Sequence, residues 1–488
     1  MRLGHFGMRN MLLAALLALC CGSAAQAAPE MLNVIAQGDF LFIAGSGVVV
    51  KYDLTSGRFD VLRNQGELVA SQAHSEAVVI AGGDPPQTLT MAGDTRLSWY
   101  KEDFSDAEGR GRRVIITRRM EKPRAELVNI LTTYERAAGV LVAIKVVNRG
   151  TRGLLVESHR PLVAGPPHGG VFIGLSPDRA QITGAPCADD QPGAHCWFAA
   201  GLDAAANRGL VAGFVTQAAA DVRIEHAFTP DQAPREPQGE RTGFSVFRAN
   251  CLYEPARRVA QNDSFTSETL ALIPAWGSVD AELDELASLA AAHSKATPLQ
   301  KPVLAAQLTG DDQVLKKDAA AGHAGPLAAN PSPPDMIFLD PGPDAYSQSP
   351  QIKAAADAVR ALGFKPGLVW RPFHVTPDSP IAKKHPKWIL GNRGTGAALL
   401  DISRPDVQEY IKVTAARIVA EWGLAALILE DTQAALDATE FSHKGLTRHE
   451  LCRNMLARLR KAAGADTIIV LRGAPPLLAA GVAHALMP

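Results

Sequence analysis

Between residues 30 and 275 apolar positions come in short, β-branched runs, clearest at Val114-Ile115-Ile116-Thr117, Val140 to Val147 and Leu210 to Val215. Turn formers separate them at Thr55-Ser56-Gly57, Asn148-Arg149-Gly150 and Gly169-Gly170. Many short strands without a helical period between them predict a large antiparallel β-sandwich over residues 28–277. The period then changes. Ser278 can cap a helix carrying Asp280 and Glu282 in its first turn, with Val279, Leu283, Leu286 and Ala290 on one face. This segment, 278–300, reads as the link to a third region, 301–488.

After Pro302 strand and helix alternate. Apolar strands are predicted at Val303 to Leu308, Met336 to Leu339, Gly367 to Trp370, Ala425 to Leu429 and Thr467 to Leu471. Ile352, Ala355, Ala356, Val359 and Leu362 mark one amphipathic helix between them, and Val407, Tyr410, Ile411 and Ile418, after Pro405, mark another. Thr447 and Glu450 form a capping box, Leu446 and Leu451 a hydrophobic staple, and Gly464 a stop. Ala319 to Pro334, rich in Ala, Gly and Pro, reads as a loop or an eroded helix. Such alternation argues for a parallel sheet, open or closed into a barrel.

The chain begins with Arg2 and Arg9, an apolar run from Met11 to Cys21, and Ala25-Gln26-Ala27 before Ala28. That pattern predicts a signal peptide over residues 1–27 and a secreted or periplasmic product. The run is too short to span a bilayer, and no later stretch is long and apolar enough to do so. Lys+Arg number 49 and Asp+Glu 50, so no charge field draws in nucleic acid or an anionic membrane, whereas an uncharged sugar fits. Of six cysteines, Cys20 and Cys21 leave with the leader, and Cys187, Cys196, Cys251 and Cys452 stay. Cys187 and Cys196 could close a short disulfide loop or remain thiols. No His/Cys ligand set accompanies them, and nothing calls for a metal or other cofactor.

From about residue 360 onward the motifs Gly363-Phe364-Lys365-Pro366-Gly367-Leu368, Pro372-Phe373, His385-Pro386-Lys387-Trp388, Asp401-Ile402-Ser403-Arg404-Pro405, Trp422-Gly423-Leu424 and Gly473-Ala474-Pro475 follow in order. In order and spacing the sequence resembles the glycoside hydrolase clan of α-galactosidases, the melibiase and raffinose-synthase-like enzymes. The resemblance implies a β-sandwich followed by a (β/α)8 barrel, here partial with about five strands, and retaining hydrolysis of an α-linked sugar. The site would then lie at the carboxyl ends of the strands.

Laid on Trp422 to Glu430 without gaps, the family's strand-four nucleophile falls on Glu430, one methylene longer than the family's Asp, with Asp431 as the other candidate. Both could instead be polar residues ending a buried strand. Asp340 keeps the first of two sugar-binding carboxylates on strand two, or simply opens the turn at Pro341-Gly342. Trp370 comes one place after the family's strand-three Trp, which favours barrel packing over a sugar platform. Arg371 and Arg472 stand where the family has small or Cys residues, and Leu304-Ala305-Ala306-Gln307-Leu308 replaces an aromatic run. The family's acid/base Asp would follow beyond Pro488, and fewer residues lie between Pro302 and Pro488 than the roughly 250 of a full barrel. Two functions follow: an exported α-glycosidase with Glu430 as nucleophile, or a non-catalytic carbohydrate-binding or assembly protein. An unfinished barrel also predicts self-association or cover for its open edges.

Overall fold

The computed structural model describes residues 32–165, 180–184, 196–203, 207–230, 243–296, 303–309, 317–342, 349–392, 398–438 and 441–487. Residues 1–27, where a signal peptide is expected, and Cys187 lie outside the described residues. The chain divides into two compact units between His293 and Ser294.

The first unit holds two nine-stranded sheets whose pairings are antiparallel. One runs in the order Asn33–Gln37, Phe40–Ala44, Val48–Asp53, Phe59–Arg63, Leu68–Ala81, Leu154–Ala164, Gly243–Val259 and Asp221–Pro230, with Gln87–Thr90 paired to Leu68–Ala81. The other centres on Leu270–Ala275, Val140–Asn148, Ala125–Tyr134 and Gly109–Met120. Alternation sets the faces: Val48, Val50 and Tyr52 are buried while their neighbours are half-buried. The buried faces meet where Asn129 Nδ2 donates to Tyr52 Oη at 3.2 Å.

The helix Asp280–Ser294 packs within this unit, with Leu286, Leu289 and Ala290 buried. Its Glu285 accepts from the Ala138 amide at 3.2 Å. A Cβ on Gly213 would come within 2.4 Å of Leu286, so the glycine makes room for the helix.

The second unit is built on a six-stranded sheet in sequence order: Ala305–Thr309, Met336–Asp340, Lys365–Trp370, Ala426–Leu429, Ile468–Arg472 and Ala485–Met487. Every pairing in it is parallel. The sixth strand corrects the expectation of about five: with three residues it is too short to register as an apolar run. The eroded stretch after Ala319 does form helix, Lys317–Ala328, with Pro326 inside it.

Period-two alternation gives the sheet two apolar faces. Ile337, Leu339, Leu368, Leu427, Leu429, Ile469 and Leu471 pack with Ile352 and Val359 of helix Ser349–Ala361, Ile411 of Pro405–Trp422 and Leu456 of Arg448–Ala463. Met336, Phe338, Val369, Ala426, Ile428 and Val470 form a separate cluster on the opposite face.

Candidate active site at the strand ends

The face opposite the helices turns polar at the carboxyl ends of its strands, and the same alternation that buries Phe338, Val369, Ile428 and Val470 carries Asp340, Arg371, Glu430 and Arg472 onto it. These four side chains meet. Arg371 Nη2 lies 2.5 Å from Glu430 Oε2, and Arg472 Nη1 donates to Glu430 Oε1. Both oxygens of Glu430 are therefore engaged by different guanidinium groups, and its side chain is only 10% exposed. Arg371 Nη1 reaches Asp340 Oδ1 at 3.4 Å, and Arg472 Nη2 donates to Gln307 Oε1 at 2.8 Å. Gln307 Nε2 closes the ring by donating to Asp340 Oδ2 at 3.1 Å.

Asp340 also fills its turn role, accepting from the Gly342 amide at 3.1 Å, where Gly342 has φ +77°. Asp340 thus holds its turn while standing in the polar ring. Asp431 joins the cluster by a route that strand alternation hides. Its backbone is left-handed, φ 62°, and its carboxylate lies 3.6 Å from Arg371 Nε and 3.4 Å from His374 Nδ1. The φ reversal cancels the face switch expected one residue beyond Glu430.

Trp370 is the candidate that does not reach the site. It is buried in the helix-side core with Leu339, Leu368 and Leu429, since it stands one residue from Val369 and Arg371 on a strand. As a substrate-binding residue it is withdrawn. Gln307 and His374 were not anticipated. The only signal for Gln307 was a lone amide inside an apolar strand, and His374 follows Pro372-Phe373 with no spacing that marks it. No group of three or more His, Cys, Asp or Glu is arranged to hold a metal ion among the described residues.

The other family-like motifs serve the scaffold. Asp401 is fully buried and accepts from Ser403 N at 3.1 Å, Ser403 Oγ at 2.5 Å and Ser442 N at 3.2 Å. Trp388 donates its indole N–H to Asp406 at 2.8 Å and stacks on His385 with ring centres 4.0 Å apart.

Residues 343–457, which include Arg371, Glu430 and Asp431, match the melibiase family model. Over that stretch, about a quarter of its length, the chain is similar to the melibiases. The fold agrees. GH36 alpha-galactosidase AgaB from Geobacillus stearothermophilus superposes with a TM-score of 0.59 at 12% identity, covering 90% of this chain and 72% of that one. The alpha-galactosidase from Lactobacillus brevis gives 0.56 at 12% identity, over 92% and 72%. A variant of alpha-galactosidase AgaA from Geobacillus stearothermophilus, in complex with raffinose, gives 0.55 at 11% identity, over 89% and 72%. No curated protein matches the chain in sequence. Asp340, Gln307 and Arg472 lie outside the melibiase stretch, so the match reaches only part of the polar ring.

Proposed function

We propose that this chain is an exported α-galactosidase-like homologue that binds α-linked oligosaccharides at the strand ends of its parallel sheet without hydrolysing unactivated ones. On this reading the sheet is part of a (β/α)8 barrel behind a β-sandwich, and residues 1–27 are a signal peptide. The observation that carries the proposal is the pairing of both Glu430 oxygens with Arg371 and Arg472. A retaining nucleophile must bring a carboxylate oxygen with available charge to the anomeric carbon. Here each oxygen is held in a charge-assisted hydrogen bond, roughly twice as strong as a neutral one. Attack would require giving one up while the other guanidinium still withdraws charge.

The surrounding groups suit binding better. Asp340 and Gln307 carry acceptors, and Arg371 and Gln307 carry donors, that sugar hydroxyls take up by exchange for the hydrogen bonds these groups make to one another. The AgaA structure with raffinose supports an α-linked oligosaccharide as the ligand class. A hydrolytic reading has one observation in its favour, the placement of Glu430 immediately after strand Ala426–Leu429, where the family resemblance puts the nucleophile.

Calorimetry with raffinose, paired with a sugar-release assay on raffinose and on an aryl α-galactoside, decides between them. The expected result is raffinose binding and no raffinose hydrolysis above buffer. The aryl substrate, which needs less acid assistance, shows at most a trace that disappears in Glu430→Gln. Raffinose hydrolysis abolished by Glu430→Gln would establish the enzyme instead. Absence of binding to raffinose, stachyose and melibiose would remove the oligosaccharide reading altogether.

A further inference from the structure

The outward face of the first sheet of the amino-terminal unit carries a cavity of about 650 Å³, within the range of about 300–1,000 Å³ common for small-molecule sites. It extends from Arg58, just ahead of Phe59–Arg63, across Leu68–Ala81 and Leu154–Ala164 to Gly243–Val259 and Asp221–Pro230. Alternation in Leu68–Ala81 sends Ala73, Ser75 and Ala77 into the core and leaves His74 and Glu76 facing the cavity. Register aligns His74 with Val163, Val163 with Arg248, and Arg248 with Glu225. At strand spacings of about 4.8 Å, Arg248 thus starts roughly 10 Å from His74, a gap that an arginine side chain and a small ligand together can span. The pairing shifts register between Arg160 and Val163, around Pro161. Irregularities of this kind concentrate beside functional sites because they re-aim side chains.

The charges in the wall do not cancel. Glu76 is fully used: His74 Nε2 lies 2.9 Å from Oε1, and Arg160 Nη1 donates to Oε2 at 3.2 Å. Arg58 makes no ion pair among the described residues: it donates to the Gln72 carbonyl at 3.3 Å and lies 3.5 Å from the His74 ring, with Glu76 close enough to act on its charge. Arg248, exposed, makes no ion pair among the described residues, and Glu225 is the only other acid in the described wall. No Phe, Tyr or Trp lines the described part of the cavity, so a sugar ring would find no face to stack on. Recognition there must come from charge and hydrogen bonds.

We propose that this cavity is a second binding site, for a carboxylate-bearing saccharide. Arg58 and Arg248 approach the carboxylate from two sides, and buried Asn250 with Glu225 receives ring hydroxyls. The anionic character follows from the arginines alone; the saccharide character rests on the reading of the chain as an oligosaccharide binder.

Titration calorimetry on the full chain with a galacturonate trimer, its neutral methyl ester, inorganic phosphate and raffinose tests this. The trimer should bind, the ester at least tenfold more weakly. Arg248→Gln and Arg58→Gln should each weaken the trimer at least tenfold with unchanged thermal midpoints. Equal affinity for acid and ester, no binding of the trimer, or trimer binding unaltered in both variants would overturn the site. Phosphate binding as tight as the trimer would overturn its saccharide character. If raffinose fails to bind while the trimer binds through Arg248, the strand-end reading falls and this site stands.

Discussion

Glu430 was reachable from sequence because a gap-free run from Trp422 leads to it, but its state was not. Two arginines distant in sequence, Arg371 and Arg472, decide that state, and a substitution of a small residue by Arg says nothing about where the guanidinium will point. Asp431 shows the same limit from the backbone side, because nothing in its neighbours announces φ 62°. A buried histidine gives the residue-scale prediction. His159 is fully buried, with Nδ1 2.8 Å from Tyr253 Oη and Nε2 without a hydrogen-bond partner among the described residues. Burial pulls its pKa down from 6.5 to about 3. The unfolded chain therefore takes up a proton below about pH 6.5 that the folded chain refuses. Stability is lost as pH falls from there towards about 3, by up to about 1.4 kcal/mol per pH unit for this one group. Urea unfolding at pH 4, 5 and 6 should show a shallower pH slope for His159→Gln than for the wild type. Identical slopes would mean that His159 is protonated in the fold.

Elements with strong local chemistry were legible almost to the residue. Thr447 caps helix Arg448–Ala463, its hydroxyl accepting from Glu450 N at 3.1 Å while Glu450 Oε2 accepts from Thr447 N at 2.8 Å. Gly423 ends helix Pro405–Trp422 in the left-handed conformation, φ 62°. The strands of the parallel sheet were found because both of their faces are apolar, which gives continuous runs. Three-residue strands such as Ala485–Met487 and Ala398–Leu400 carry too few positions for any period to show. Helix Lys317–Ala328, interrupted by Pro326, has little sequence signal for the same reason that its apolar stripe is weak: alanine and glycine fill it. Thr447→Ala removes the hydroxyl half of the capping box, with Thr447 itself 1% exposed. The expected loss is about 1 kcal/mol, read as a lower urea midpoint with an unchanged denaturant slope. A Thr447→Ser variant, which keeps the acceptor, should recover most of it; a midpoint as low as that of the alanine variant would show that the methyl group, not the cap, matters.

For the whole molecule, the balance of 49 basic and 50 acidic residues leaves recognition to local geometry instead of a long-range field. The two proposed sites then differ in kind. At the strand ends, Arg371, Arg472, Glu430 and Asp340 already satisfy one another, and a neutral oligosaccharide entering there exchanges hydrogen bonds without adding charge. In the amino-terminal cavity three arginines face two glutamates, and on the proposal above an anionic ligand gains much of its affinity from Arg58 and Arg248. Salt separates the two cases, because the screening length falls from about 10 Å at 0.1 M to about 3 Å at 1 M. Raffinose affinity should change by less than about twofold between those ionic strengths, since the ion pairs around Glu430 are largely buried and screened less than surface pairs. Affinity for the galacturonate trimer should fall several-fold or more over the same range, through the partly exposed guanidinium groups. Calorimetric titrations of both ligands at the two salt concentrations provide the check. A raffinose affinity that collapses with salt would mean that the Glu430 network opens when the sugar binds, exposing its arginines, and that the network is a gate instead of a fixed floor.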